Sequence, residues 1–364
     1  MRILVINCGT TSLKYKLYEA DEQGLNLLAA ASAAMRPGEE PPVAGVLVAL
    51  PARPDAVAHR VVHGGDRFTA AVRVDDEVLR TLTELTPLAP LHNGPALRAL
   101  EITRTLGVPI IAAFDTAFFA DLPHRARRYA LPPIPGVHRY GFHGWSHRFV
   151  MNRLAELSGD HEPTFVSLHL GSGCSAAALQ RGKPVDISMG YSPLEGLIMG
   201  TRAGDLDPGV LLHLMQEGWD AERVAHLLHH EAGLKALAGT ADMRALLSRT
   251  DAEARAAVEL FCYRAVKYVG AYLAALEGQA EAVVFTGGIG ENAPEIRERI
   301  CRSLEWAGLR LDFRRNAQGE EQISAEGSRL RAYAIRTDEE SGIAEEALRL
   351  IIDNRPTPAP AGTP

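Results

Sequence analysis

Cysteine is scarce in this chain and never clustered. Cys8, Cys174, Cys262 and Cys301 are the four among 364 residues, they lie far apart, and none belongs to a CxxC motif. That argues against a disulfide framework and a paired-cysteine metal site, and points to a reduced, cytoplasmic protein. Long apolar runs are missing too: residues 25–35 are interrupted by Asn26 and Ser32, so no segment is expected to span a bilayer. The opening Met1-Arg2-Ile3-Leu4-Val5 passes directly into a strand pattern, which leaves no room for a signal peptide. Nor is there an excess of positive charge. A net charge of −7, with 23% charged and 46% hydrophobic residues, fits a globular chain without general affinity for nucleic acid or anionic membrane. The basic cluster at 124–128 reads as a solvated loop.

Several motifs that would settle a function are also absent. There is no GxxxxGK[ST] and no strand-borne GxGxxG, which disfavours a P-loop or dinucleotide fold. His59 with His63, and His143 with His147, have i, i+4 spacing, but no HExxH or third ligand accompanies either pair, so zinc hydrolysis is disfavoured.

What is present is strand alternating with helix over a length that calls for two domains. Strands are expected at 3–6, 13–18, 57–62, 108–114, 165–170, 176–179 and 282–285. Helices are expected at 75–85, 96–106, 147–157, 209–216, 221–229, 252–276, from about 294, and at 339–352. On the long helix, Val258, Cys262, Ala265, Val269, Tyr272 and Leu276 share one face, which suits a core or a subunit contact. The proline-dense stretch 36–55 and residues 88–95 read as connections, and the tail 356–364 as disordered.

Three glycine-rich turns follow apolar strands: Asn7 to Ser12, Gly171 to Ser175, and Gly287 to Asn292. Backbone N–H groups and hydroxyls in such turns form concavities for anions. The first two repeat one plan, strand, turn and second strand, which predicts two domains of one fold with phosphate held in a cleft between them. Arg60, Arg202, Asp115, Glu339 and Glu340 sit at the ends of other elements. Paired guanidiniums can clamp a carboxylate and a phosphoryl group in transfer, and carboxylates can hold Mg²⁺. Each of these residues is equally open to a plainer reading as a salt bridge or helix cap. So is the stretch Arg139-Tyr140-Gly141-Phe142-His143-Gly144-Trp145-Ser146-His147, which by itself reads as a tight turn into a helix.

Together with His59 to Gly65, Ala89 to Asn93, Phe114 to Phe118, Met199 to Pro208 and Thr337 to Glu340, these stretches resemble the acetate kinase family of short-chain carboxylate kinases, from Ile3 to about Ala344. The resemblance implies an α/β protein of two ribonuclease-H-like domains, the duplicated actin-like ATPase fold, with the active site in the interdomain cleft. It implies a first domain of residues 1–119 plus 342–364, and a second of 120–341 that binds nucleotide and dimerises. It further implies reversible, direct in-line transfer of the γ-phosphoryl group of ATP to acetate, or to propionate or butyrate, with Mg²⁺ or Mn²⁺, in a homodimer. Carried over residue by residue, Arg60 and Arg202 would bind carboxylate and phosphoryl group, and Asp115 would orient the reacting groups or help hold the metal. His143 would donate to the phosphoryl oxygens, and His92 would support the site. Glu339 and Asn7 would serve the metal and phosphates. Val62, Leu91, Phe142 and Pro193 would receive the acyl methyl group. Lys14, His169, Gly171, Ser172, Gly173, Asp242, Met243, Arg244, Gly287, Gly288, Ile289, Gly290 and Asn292 would bind nucleotide.

Three positions depart from the family: Ser172 replaces a usual asparagine, Trp145 a usual threonine and Phe119 a usual histidine. They leave open a nucleotide-binding regulator or ATPase that has lost transfer, and a pyrophosphate donor. They also leave open whether Trp145 narrows the acyl pocket or packs behind it.

Overall fold

A computed structural model describes residues 1–9, 12–21, 24–35 and 39–353. Thr10 and Thr11 of the first turn, and the tail 356–364 expected to be disordered, lie outside the described residues. The chain divides into two units. Met1–Ala120, Phe142–Trp145 and the stretch from Asp338 make the first; Asp121–Gly141 and Ser146–Thr337 make the second.

The first unit is built on strands β1 (Arg2–Cys8), β2 (Ser12–Asp21), β3 (Gly24–Ala34), β4 (Ala56–Val61), β5 (Val72–Arg73) and β6 (Ile110–Phe114), in the order β3-β2-β1-β4-β6-β5. β1 is buried on both faces, which is why it reads as a continuous apolar run rather than an alternation. Leu4 and Ile6 face one core with Val57, Val61, Leu82 and Leu100. Ile3 and Val5 face another with Ala56, Ala58, Ile343 and Ala344, the last two from the closing helix Glu339–Ile352.

The second unit carries β7 (Phe165–Leu170), β8 (Cys174–Gln180), β9 (Lys183–Ile187), β10 (Ala282–Thr286) and β11 (Arg331–Ala334), in the order β11-β10-β7-β8-β9. Both sheets share a plan. The first strand is central, an antiparallel hairpin extends it on one side, and two parallel strands follow on the other. The repeat seen in the two hairpins is therefore a repeat of whole sheets, and the chain is a mixed α/β protein with the duplicated actin-like ATPase fold.

Several local expectations are corrected. Residues 36–55 include a helix, Val43–Ala49, whose Val43 and Val46 enter the core. The expected connection at 88–95 is mostly helix: Pro90 opens the helix Pro90–Arg104, where its missing N–H costs nothing, and Pro95 sits in its second turn. The glycine turn after β10 is a short helix, Gly287–Asn292. The helix Ala252–Ala275 buries all the expected face, from Val258 to Tyr272, with Leu276 just beyond, within this chain. The four cysteines are free and buried. Among the described residues, no helix is long and apolar enough to cross a membrane.

Candidate active site

The parallel strands of the first unit bring three candidate residues to one edge. Asn7 on β1 pairs in register with Arg60 on β4, and Asp115, just past β6, donates its N–H to Val61 O at 3.1 Å. Carboxyl ends of parallel strands are where open α/β sheets present ligand-binding groups. The Arg60 guanidinium grips Asp115 with two bonds, Nε to Oδ1 at 2.9 Å and Nη2 to Oδ2 at 2.5 Å. Its Nη1 reaches Asn7 Oδ1 at 3.1 Å and Glu339 Oε2 at 3.2 Å. Asn7 Nδ2 in turn donates to Glu340 Oε1 at 2.9 Å, and Lys16 Nζ lies 2.7 Å from Asp338 Oδ1. Lys14 is opposite Asn7 across the β1–β2 hairpin, with its side chain exposed.

Asp115 is fully buried. Burial raises its carboxyl above the ordinary carboxylate value, against the pull of Arg60 and of a hydrogen bond from the His143 amide. Burial also works against the Arg60 charge, but Asp115 and Glu339 outweigh it and hold the guanidinium above its usual value. The cation is therefore permanent, and its direction is set by a two-bond grip.

The stretch around His143 is seated on the same strand end. Gly144 has no alternative: a Cβ there would lie 2.0 Å from Asp115 O. His143 adopts a left-handed backbone, φ 58°, which the hydrogen bond from its backbone N–H to the Asp115 carboxylate helps to hold. Phe142 is buried with its ring edge-on to His63, centroids 5.5 Å apart. Asn93, also buried, clamps the His63 backbone from both sides, donating to its O at 2.9 Å and accepting from its N at 3.1 Å. That fixes the first turn of the helix carrying Leu91 and His92 beside Val62 and His63. The other histidines have structural work. Burial pushes His59 down to about 3, and its Nε2 bonds Thr103. His147 bridges Ser167 and Ser175 at 2.8 Å each, tying β7 to β8. Among the described residues, no group of three or more His, Cys, Asp or Glu could hold a metal ion.

In the second unit the remaining candidates form two groups. The turn Gly171-Ser172-Gly173 and the start of Gly287–Asn292 are neighbours: a Cβ on Gly171 would lie 3.5 Å from His169 Nε2 and 3.8 Å from Gly288 N. Gly287, at φ 77°, leaves no room for a side chain, since a Cβ would sit 2.8 Å from Leu170 O. Ser172, exposed, accepts from Gly200 N at 3.0 Å, and Gly200 faces Ala241, next to Asp242. Asp242 caps the helix Met243–Ser248 and pairs with the exposed Arg244, while Met243 points into the core. Ile289 is partly buried, Gly290 is packed against Phe285, and Asn292 is tied back to Gly288 O at 2.9 Å.

Arg202 stands apart. Its Nη1 donates to Pro193 O at 2.8 Å, and among the described residues no carboxylate pairs with it. Burial holds it below the usual arginine value. Arg202 is half-buried and has a backbone carbonyl rather than a carboxylate as its partner, an arrangement that an anion would stabilise.

Arg297 escapes a motif-based reading. It is 1% exposed and satisfies Gly290 O and Glu291 O at 2.8 Å, Asn316 Oδ1 at 2.7 Å and Asn316 O at 2.8 Å. It thus closes the carbonyl end of the short glycine helix. Its signal was available in the helical spacing that places it among Ile296, Ile300 and Cys301 on the buried face of Pro294–Arg302. Arg297→Met leaves these acceptors unpaired, and a urea unfolding curve is expected to show about 3 kcal/mol or more of lost stability.

The donor set bears on the metal that the resemblance implies. Glu339 presents one carboxylate to Arg60 and Asn7, and Asn7 Nδ2 lies 3.4 Å from it. The one carboxylate suits Mg²⁺, which commonly takes one or two protein carboxylates and completes its shell with water and phosphate oxygens, while Asn7 presents its N–H here and has its Oδ1 on Arg60. This set does not suit an all-protein cage.

Residues 49–345 match the acetokinase family. The acetate kinase of Solibacter usitatus is 48% identical over 323 residues, covering 84% of this chain and 77% of that protein. Among solved structures, the acetate kinase of Porphyromonas gingivalis superposes with a TM-score of 0.84 at 35% identity, over 96% of this chain and 99% of that one. A propionate kinase from Francisella tularensis gives 0.86 at 31% identity, over 95% and 98%.

Proposed function

This chain belongs to the acetokinase family and is a kinase acting on a carboxylate, and from that premise we propose that it transfers the γ-phosphoryl group of ATP to acetate, reversibly, giving acetyl phosphate and ADP. The observation that carries this reading is the Arg60 guanidinium, held by Asp115 on one side and bordered by Glu339 and Asn7 on the other. An acetate carboxylate is already a nucleophile, so the reaction needs no strong base. Its obstacle is the repulsion between two anions. Arg60 and Arg202 answer that with fixed positive charge, and His143 adds a donor for the oxygens of the phosphoryl group in flight.

The lone charge of Arg202 supports a role on the carboxylate or phosphoryl group, and Pro193, whose carbonyl it holds, would line the methyl site with Val62, Leu91 and Phe142. His92 would support them. The adjoining turns at Gly171 to Gly173 and Gly287 to Asn292 would take the nucleotide, with Asp242 to Arg244. Lys14 and His169 would lie near its phosphates. Mg²⁺, held by Glu339 with Asn7 nearby, would neutralise charge on the phosphate oxygens when bound.

The test is a hydroxylamine trap with ATP and Mg²⁺. Acyl hydroxamate is expected with acetate, and parallel reactions with propionate and butyrate read the acyl preference. Absence of hydroxamate from all three overturns the proposal. Replacing ATP by pyrophosphate in the same assay is expected to give none.

A homodimer through the second unit suits the helix Pro208–Gln216, which is apolar yet buries no residue; Leu212 is 62% exposed and Met215 52%. Light scattering is expected to give twice the chain mass, and Leu212→Glu with Met215→Glu is expected to lower it. A monomeric mass for the unmodified chain rules the dimer out.

A further inference from the structure

Trp145 lies on the side of the first sheet that carries Ile3 and Val5. That side is otherwise lined largely by alanine: Ala56, Ala58 and Ala113 on the strands, Ala344 and Ala347 on the closing helix. The indole, 5% exposed, takes up the space that these small side chains leave. Its benzo ring rests on Gly342, where a methyl group would lie 3.5 Å from Cε3 and 3.8 Å from Cζ3. Gly342 follows Glu339 by three residues on the same helix, so ring and carboxylate sit one turn apart on neighbouring positions of one face.

The backbone end of Trp145 is equally fixed. Gly144 is pressed on Asp115 O, and the His143 amide is bonded to the Asp115 carboxylate. One side chain therefore runs from the strand end that carries Asp115 to the helix that carries Glu339. Those two carboxylates hold Arg60 from opposite sides.

We propose that Trp145 is a positioning residue: it is a strut that sets how the closing helix sits on the first sheet, and so fixes Glu339 against Arg60. It packs behind the acyl site rather than narrowing it. A smaller residue would let the helix settle toward the sheet and carry the carboxylate out of register. Because enzymatic transfer depends on placement to within about 1 Å, the loss falls on turnover rather than on substrate binding.

The inference rests on the carboxylate kinase reading, and the experiment separates the two. Hydroxamate formation by the unmodified enzyme tests that reading by itself. Trp145→Thr, compared per folded molecule by circular dichroism, is expected to lower kcat about tenfold or more, with KM for ATP and acetate each changed by less than about threefold. Trp145→Phe, which keeps an aromatic strut, is expected to recover most of the loss. In a double-mutant cycle with Glu339→Asp, the second substitution is expected to add little to the first, since both displace one carboxylate. A crystal structure of Trp145→Thr is expected to place Glu339 beyond the roughly 4 Å limit of an ion pair with Arg60, a readout independent of activity. Unchanged kcat in Trp145→Thr, or independent multiplication of the two effects, overturns the proposal. If Trp145→Thr does not fold, the cycle is run on Trp145→Leu, where an unmoved Glu339 and a full kcat overturn it equally.

Discussion

Arg60→Ala is expected to cut turnover about a thousandfold, the order found when a preorganised charge is removed from a transition state. It is also expected to show a distinctive stability defect. Asp115 is fully buried and loses its guanidinium partner, leaving a charge whose desolvation only the His143 amide partly offsets. Breaking a buried pair in this way costs about 3 kcal/mol or more. The sign of the pH dependence follows. Burial already raises the Asp115 carboxyl, and without Arg60 its folded pKa rises further above the unfolded value of about 4. The folded state then binds more protons than the unfolded one, so the variant loses stability as pH rises from the unfolded pKa through the folded pKa. Thermal melts are expected to show a larger deficit at pH 8 than at pH 5. Asp115→Asn in the same chain removes the stranded charge and is expected to restore stability but not turnover. Near-normal turnover in Arg60→Ala would refute the clamp, and a deficit independent of pH would refute the account of Asp115.

Arg202→Ala is expected to lose a comparable hundredfold to thousandfold in turnover with the opposite effect on stability. No carboxylate pairs with this arginine among the described residues, and its guanidinium donates to Pro193 O. Its burial opposes its own charge. Deleting it removes an uncompensated desolvation, so the melting temperature is expected to hold or rise, within about 1 kcal/mol of the parent or above it. Such an opposition between stability and activity is the mark of a group kept for its ligand. A large loss of stability in Arg202→Ala would show that the residue is structural. The two arginines, similar in a motif, are thus distinguished by their partners: Arg60 is held by protein carboxylates, and Arg202 by a backbone carbonyl.

That difference could not be seen in the sequence. Arg60 and Asp115 are separated by 55 positions, and only the parallel register of β1, β4 and β6 brings them together. The central strands were legible because burial on both faces leaves an apolar run, and the hairpin repeat because strand, turn and strand are contiguous. The edge strands were not. β3 is exposed along most of its length and rich in alanine, and β9 contains Pro184, so neither carries an alternation to read. The helix Val43–Ala49 was masked by the prolines around it, whose meaning depends on whether they stand before a helix or inside it. The stretch 139–147 was legible as a turn but not as a support. Arg139 anchors to Glu195 at 2.6 Å in the second unit, His147 ties two strands, and Gly144 leans on Asp115. Nine contiguous residues serve three separate structural ends, and sequence spacing gives no way to apportion them. Phe119, a departure from the family pattern, is buried with its ring edge-on to Phe118.

The closing helix also has a consequence for biosynthesis. It covers β1, which is synthesised well before it: Asn7 waits 332 positions for Glu339. At roughly 5–20 residues per second, that interval lasts about 20 to 70 s. Throughout it Ile3, Val5 and Ala58 lack their cover, while the second unit can complete its own sheet. The first unit therefore cannot complete this face until the closing helix has been made. A nascent chain stalled before Asp338 would carry an open apolar face and no Glu339, making it inactive and a client for chaperones.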